Sequence, residues 1–205
     1  MLIERPPLLY RICFPGTLWR IPSQDGQKRV FLTFDDGPIP EVTPWVLELL
    51  EREGIHATFF CVADNVRKHP DIYRMVLEHG HKVGNHTYHH LQGIRCRTAT
   101  YLRDSLDAHE LIESPYFRPP HGHMRLRQLL KLRKHFRIVM WDLVTRDYSK
   151  WMTPEKTYEN VEKYVRDGSI IVFHDSLKAE RNMKYALPRA IAYLKAQGYS
   201  FELLP

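Results

Sequence analysis

Short runs of β-branched and aromatic residues alternate with amphipathic stretches along this sequence. Val30–Phe34 is short enough for a buried strand, and Ser169–Phe173 is apolar enough to sit centrally in a parallel sheet, covered on both faces. Further strands are predicted at 57–62, 82–85, 116–117, 137–141 and 199–203. Helices are predicted between them at 41–52, 64–68, 71–78, 98–112, 124–135, 154–166 and 189–196. Strand–helix alternation of this kind builds α/β folds around parallel strands. The number of units fits a distorted or incomplete (β/α) barrel with about seven parallel strands better than a full eightfold one. The chain of 205 residues is read as a single buried domain at 29–205, preceded by an irregular extension at 1–28 packed on the barrel.

Composition narrows the partners only slightly. The net charge of +6 is a mild basic excess, with acidic residues spread through the same segments. Basic residues at Arg125, Arg127, Lys131, Arg133, Lys134 and Arg137 read as a solvated helix face, and Trp151 as core packing. No motif joins stacking aromatics to basic residues, so nucleic acid is not an expected partner. Cys13, Cys61 and Cys96 are too sparse for a disulfide framework or a cysteine zinc site. Charge and proline interrupt the apolar residues of Met1–Pro7, so neither a signal peptide nor a spanning helix is expected there. The chain reads as cytoplasmic, or extracytoplasmic if a leader has been removed, with peripheral membrane contact left open. Oligomeric state is not legible.

The reactive side chains follow predicted strands: Asp35 and Asp36 after Phe34, His86 and His90 after Asn85, Arg118 after Phe117, Asp142 after Trp141, His174 after Phe173. In parallel α/β folds the carboxyl ends of the strands share one face, so a single mouth accounts for all of them. His86 and His90, four apart, would point the same way on a helical turn. With one aspartate they form a two-nitrogen, one-oxygen ligand set that leaves positions open for water and substrate, as in catalytic zinc sites. The same set suits Fe(II), although an oxygenase has no use for the second aspartate or for His174.

Five segments, Thr33–Pro38, His86–His90, Arg118–Gly122, Trp141–Tyr148 and Val172–His174, fall in the order and rough spacing of five motifs. In them the chain, over about residues 28–204, resembles the polysaccharide deacetylases of the NodB-homology group, carbohydrate esterase family four. The resemblance implies a metal-dependent hydrolase that removes N-acetyl groups from an amino-sugar glycan, breaking a carbon–nitrogen bond that is not a peptide. It implies Asp35 as general base, His174 as general acid, Arg118 in support of the base, and Asp36, His86 and His90 as ligands of one divalent ion. Zn²⁺ is expected, with Co²⁺ or Ni²⁺ as alternatives. Pro120, His121, Trp141 and Asp147 fall on the substrate side, the His121 N–H facing the oxyanion. Three positions depart from the family pattern: His121 replaces a frequent tyrosine, Val144 an aspartate and Tyr148 a tryptophan. That aspartate usually pairs with the arginine at position 118, so Asp142 or Asp147 must replace it or Arg118 must work differently. Two other readings remain: a deacylase or deformylase of a lipid-linked or small amidosugar, and a catalytically silent carbohydrate-binding module of the same fold.

Overall fold

The structure, a computed structural model, describes residues 4–205; the first three residues of the extension lie outside it. The strands are β1 (Arg29–Asp35), β2 (Thr58–Cys61), β3 (Lys82–Asn85), β4 (Tyr116–Phe117), β5 (Arg137–Ile138), β6 (Leu143–Val144), β7 (Ser169–His174) and β8 (Ser200–Phe201). The helices are α1 (Leu8–Ile12), α2 (Thr43–Glu53), α3 (Ala63–Lys68), α4 (Pro70–Glu78), α5 (Thr98–His109), α6 (Leu126–Leu132), α7 (Pro154–Tyr164) and α8 (Glu180–Ala196). Seven strands run parallel in the order β5-β4-β3-β2-β1-β7-β6, and β8 lies parallel to the first residues of β1. This is an incomplete (β/α) barrel, curled and open between β5 and β6.

Residues on β1 alternate between two environments, as the pleat requires. Val30, Leu32 and Phe34 pack outward against helices, with Phe34 stacked on Phe59 at 4.9 Å. Phe31 points inward to a layer with Phe60, Tyr116, Val139 and Ile170 that fills the lower barrel. The strand's inward series continues through Thr33 to Asp35, so a carboxylate emerges at the upper end of a packed interior.

The extension fills the open seam. Leu18 bridges Val139 in parallel, Arg20 bridges Ser169, and the Val144 N–H donates to the Glu4 carbonyl. Backbone groups on the β5 and β6 edges that would otherwise face water are thereby paired.

Two elements differ from the sequence-based expectation. Strand β6 is only two residues long and carries too little pattern to register, so the predicted strand 137–141 stops short of it. Helix α8 starts nine residues before the predicted 189, because Pro188 lies inside it where a proline reads as a break. Trp151 is not in the core: it is 74% exposed. Among the described residues no helix is long and apolar enough to cross a membrane.

Candidate active site

The mouth of the barrel is a cleft of about 160 Å³ at the carboxyl ends of β1, β3 and β7. Asp35, Asp36, His86, His90, His121, Trp141 and His174 line it, with Val144, Tyr148 and Lys178. Strand register alone brings Asp35 and His174 together, for they are Cα partners across β1 and β7.

Asp35 is almost fully buried and held from below. Arg118 Nη1 donates to its Oδ1 at 2.6 Å and to Thr33 Oγ1 at 2.9 Å. Nη2 donates to the Met140 carbonyl at 3.0 Å and Nε to the Val139 carbonyl at 3.4 Å, and the guanidinium lies 4.0 Å above the Phe60 ring. Arg118 has no exposed surface, so its charge is tolerable only because each of these partners is present.

Asp36 follows in a left-handed conformation, φ 86°. Asp175 enforces the turn, accepting from the Gly37 N–H at 3.1 Å and from Thr43 Oγ1 at 2.6 Å. It stands so close to Gly37 that a Cβ there would fall 1.9 Å from Asp175 Oδ2. Burial, reinforced by Asp36, pushes the Asp175 carboxyl up to about 8. Asn65 Nδ2 donates to the Asp36 carbonyl at 2.8 Å and anchors the other side of the turn.

His86 and His90 do converge, although no helical turn carries them. The segment is a bend in which Thr87 (φ 66°) and His90 (φ 54°) are both left-handed. Asn85 Oδ1 accepts from the Thr87 N–H, while Asp104 of α5 accepts from the N–H groups of Tyr88 and His89 and holds the His89 ring at 2.6 Å. His89 therefore turns outward. Only five non-glycine residues among those described have positive φ: Asp36, Thr87, His90, His121 and Arg146. Three of them line the cleft, as expected where backbone strain serves a site.

The donor set fits a divalent metal. Asp36 Oδ1 lies 3.1 Å from His90 Nε2 and 3.8 Å from His86 Nε2, and the candidate ligand atoms all fall within 4.8 Å of one another. His86 Nδ1 donates to the Arg118 carbonyl at 2.9 Å, which turns its Nε2 lone pair toward the other two. Burial lowers the His86 pKa to about 4, so the ring is neutral and free to ligate. Burial works against the Asp36 carboxylate, but the hydrogen bond from His90 and the histidines around it hold its pKa well below the usual range.

His174 is set differently. Its Nδ1 contacts Asp147 Oδ1 at 2.8 Å and its backbone N–H donates to Asp147 Oδ2 at 2.8 Å. Burial would lower its pKa; the Asp147 carboxylate overrides this and pushes it up to about 9. The ring thus stands protonated at neutral pH beside the Tyr148 ring at 4.6 Å.

Asp147 is fully buried behind His174, away from the cleft where it was expected. Pro120 is likewise buried, while its neighbour His121 (φ 58°) brings its ring 4.7 Å from that of His90. Trp141 walls the cleft against Gly122, where a Cβ would fall 2.1 Å from the indole. Neither Asp142 nor Asp147 takes the missing aspartate's place beside Arg118. Asp142 is held by Arg5, Arg11 and Arg166, Asp147 by His174, and Arg118 reaches Asp35 directly. The supporting residues Asp175, Asp104 and Asn65 went unnoticed in the sequence. Only Asp175, one residue past His174 at a strand end, carried a usable signal.

Residues 23–137 match the family model described as polysaccharide deacetylase. The chain belongs to this family. It is 33% identical over 192 residues to a peptidoglycan-N-acetylglucosamine deacetylase of Bacillus cereus, covering 89% of this chain and 88% of the relative. It is 31% identical over 88% of its length to the peptidoglycan-N-acetylglucosamine deacetylase PgdA of Listeria monocytogenes, of which it spans 39%. Among solved structures, the Bc1960 peptidoglycan N-acetylglucosamine deacetylase superposes with a TM-score of 0.88 at 29% identity, over 98% of this chain and 95% of that one.

Proposed function

We propose that this chain is a metal-dependent N-deacetylase of amino-sugar glycans, with an N-acetylglucosamine-containing cell-wall polymer or its fragments as substrate. The observation that carries the reading is a base and an acid on neighbouring strands at one register, Asp35 and His174, beside the Asp36, His86 and His90 ligand set. The names of the family relatives support the substrate class.

Asp36, His86 and His90 would hold a divalent ion, Zn²⁺ first, which when bound would supply Lewis acidity toward the amide carbonyl and toward water. Asp35, pinned through Oδ1 by Arg118, offers its other oxygen to the attacking water and takes its proton. The N–H of His121, on the turned loop beside the ligands, faces the developing oxyanion. His174, kept protonated by Asp147, delivers its proton to the departing amine, so that amide and water become amine and acetate. Trp141 and Tyr148 offer ring surface to the sugar.

Val144 does not argue for a silent module. It is 4% exposed within an apolar cluster, and Arg118 is satisfied without the absent aspartate. The test is acetate release from N-acetylglucosamine oligomers and peptidoglycan fragments by chelator-stripped protein with Zn²⁺, Co²⁺ or Ni²⁺ restored. Release that requires metal and drops at least about a hundredfold in Asp35→Asn and in His174→Ala is the expected result. Metal binding without release from any glycan would overturn the assignment of substrate, and release unchanged in both variants would overturn the assignment of residues.

A further inference from the structure

The exposed sides of α1 and α6 carry two features that a solvated helix face does not combine. Leu8, Leu9 and Ile12 of α1 are 73%, 77% and 64% exposed, and Leu126 and Leu130 of α6 are 53% and 46% exposed. Around the α6 leucines stand Arg125, Arg127, Lys131, Arg133 and Lys134, all exposed and without an ion pair among the described residues. The segments that flank the two helices meet. Tyr10 donates to the Gly122 carbonyl at 2.8 Å, Phe14 shares a core cluster with Leu129 and Leu132, and the Arg133 guanidinium lies against Gly16.

We propose that this surface docks the protein on an anionic lipid bilayer. Unpaired cations alone would suit any polyanion. Leucines left 46–77% exposed on the same helices gain where an apolar phase lies beneath an acidic surface, which describes a membrane interface. The cations meet the headgroups while α1 and the α6 leucines enter the acyl boundary. Because α6 begins just after the loop of His121 and Gly122, docking holds one wall of the cleft close to the bilayer.

Sedimentation of the full chain with phosphatidylglycerol vesicles, and with phosphatidylcholine vesicles as a comparison, tests this. Binding is expected to phosphatidylglycerol and to weaken as salt is raised. The charge pair Arg127→Glu with Lys131→Glu, and separately the apolar set Leu8→Ser, Leu9→Ser and Ile12→Ser, are each expected to weaken partition about tenfold or more. Acetate release from a soluble oligomer serves as the folding control, since none of these residues lines the cleft. No sedimentation of the unaltered chain at low salt overturns the proposal. So does binding that the charge pair abolishes and the apolar set leaves intact, which would mark a surface for soluble polyanions.

Discussion

Because the Arg118 guanidinium has no contact with water, all its hydrogen bonds must be made inside the protein, to Asp35, Thr33, Val139 and Met140. Arg118→Met would leave the Asp35 carboxylate uncompensated in a buried setting. A stability loss of about 3–5 kcal/mol is expected in urea unfolding, along with loss of activity. Arg118→Lys keeps the charge but not the planar fork, and is expected to recover part of the stability and little of the rate. The His174–Asp147 pair makes a pH-dependent contribution of definite sign. Histidine titrates at 6.5 when unperturbed and at about 9 here, so the pair stabilises the fold fully below about 6.5, and that contribution fades as pH rises through about 9. Activity that needs a protonated His174 falls over the same upper range. In Asp147→Asn the alkaline limb of the rate profile is expected to move down by about one to two pH units at equal metal loading. An unmoved limb would detach His174 from that step. Asp35, Asp36, His86 and His174 were legible in the sequence because each stands at or directly after the end of a strand. Their supports were not: Asp104 lies 16 residues from Tyr88, and Arg118 lies 83 from Asp35, separations that no local pattern reports.

At the scale of elements, β1 and the turn that ends it set the relation between base and metal ligand. Phe34 is clamped outward by Phe59 and Phe173 while Asp35 faces inward, and Asp175 fixes the reversal at Gly37. Gly37→Ala must displace Asp175. It is expected to cost about 1–3 kcal/mol in thermal or urea unfolding and to weaken metal retention, read by metal content after dialysis. Full metal content with intact stability would mean that the turn yields more easily than its packing implies. Strand alternation and the long helices were readable because their periods repeat several times. The histidine bend was not: Asn85 and Asp104 hold it, and two left-handed residues aim its rings, where four-residue spacing suggested a helix. Pro188 hid the first half of α8 by the same logic, since a proline signals a break unless tertiary packing overrides it.

For the whole molecule, seven strands do not close a barrel, and the extension supplies the missing edge. Deleting residues 1–21 would bare the β5 and β6 edges together with Trp141 and the charge of Asp142, which Arg11 covers. Self-association is expected, detectable by light scattering on a sizing column, with a lower melting temperature. A stable monomer would show that the seam needs no cover. The barrel class could be read from the sequence, whereas this closure rests on single-residue bridges at Leu18 and Arg20 that have no period to recognise.

The seam also orders events in time. Tyr10 and its acceptor Gly122 are 112 residues apart, so the segment that leaves the ribosome before β1 has nothing to seal until much of the chain has followed. At 5–20 residues per second that interval is roughly 6–22 s. Through it Phe14 and Trp19 stay without their partners in the core, a window in which a chaperone can bind them and after which their docking completes the molecule.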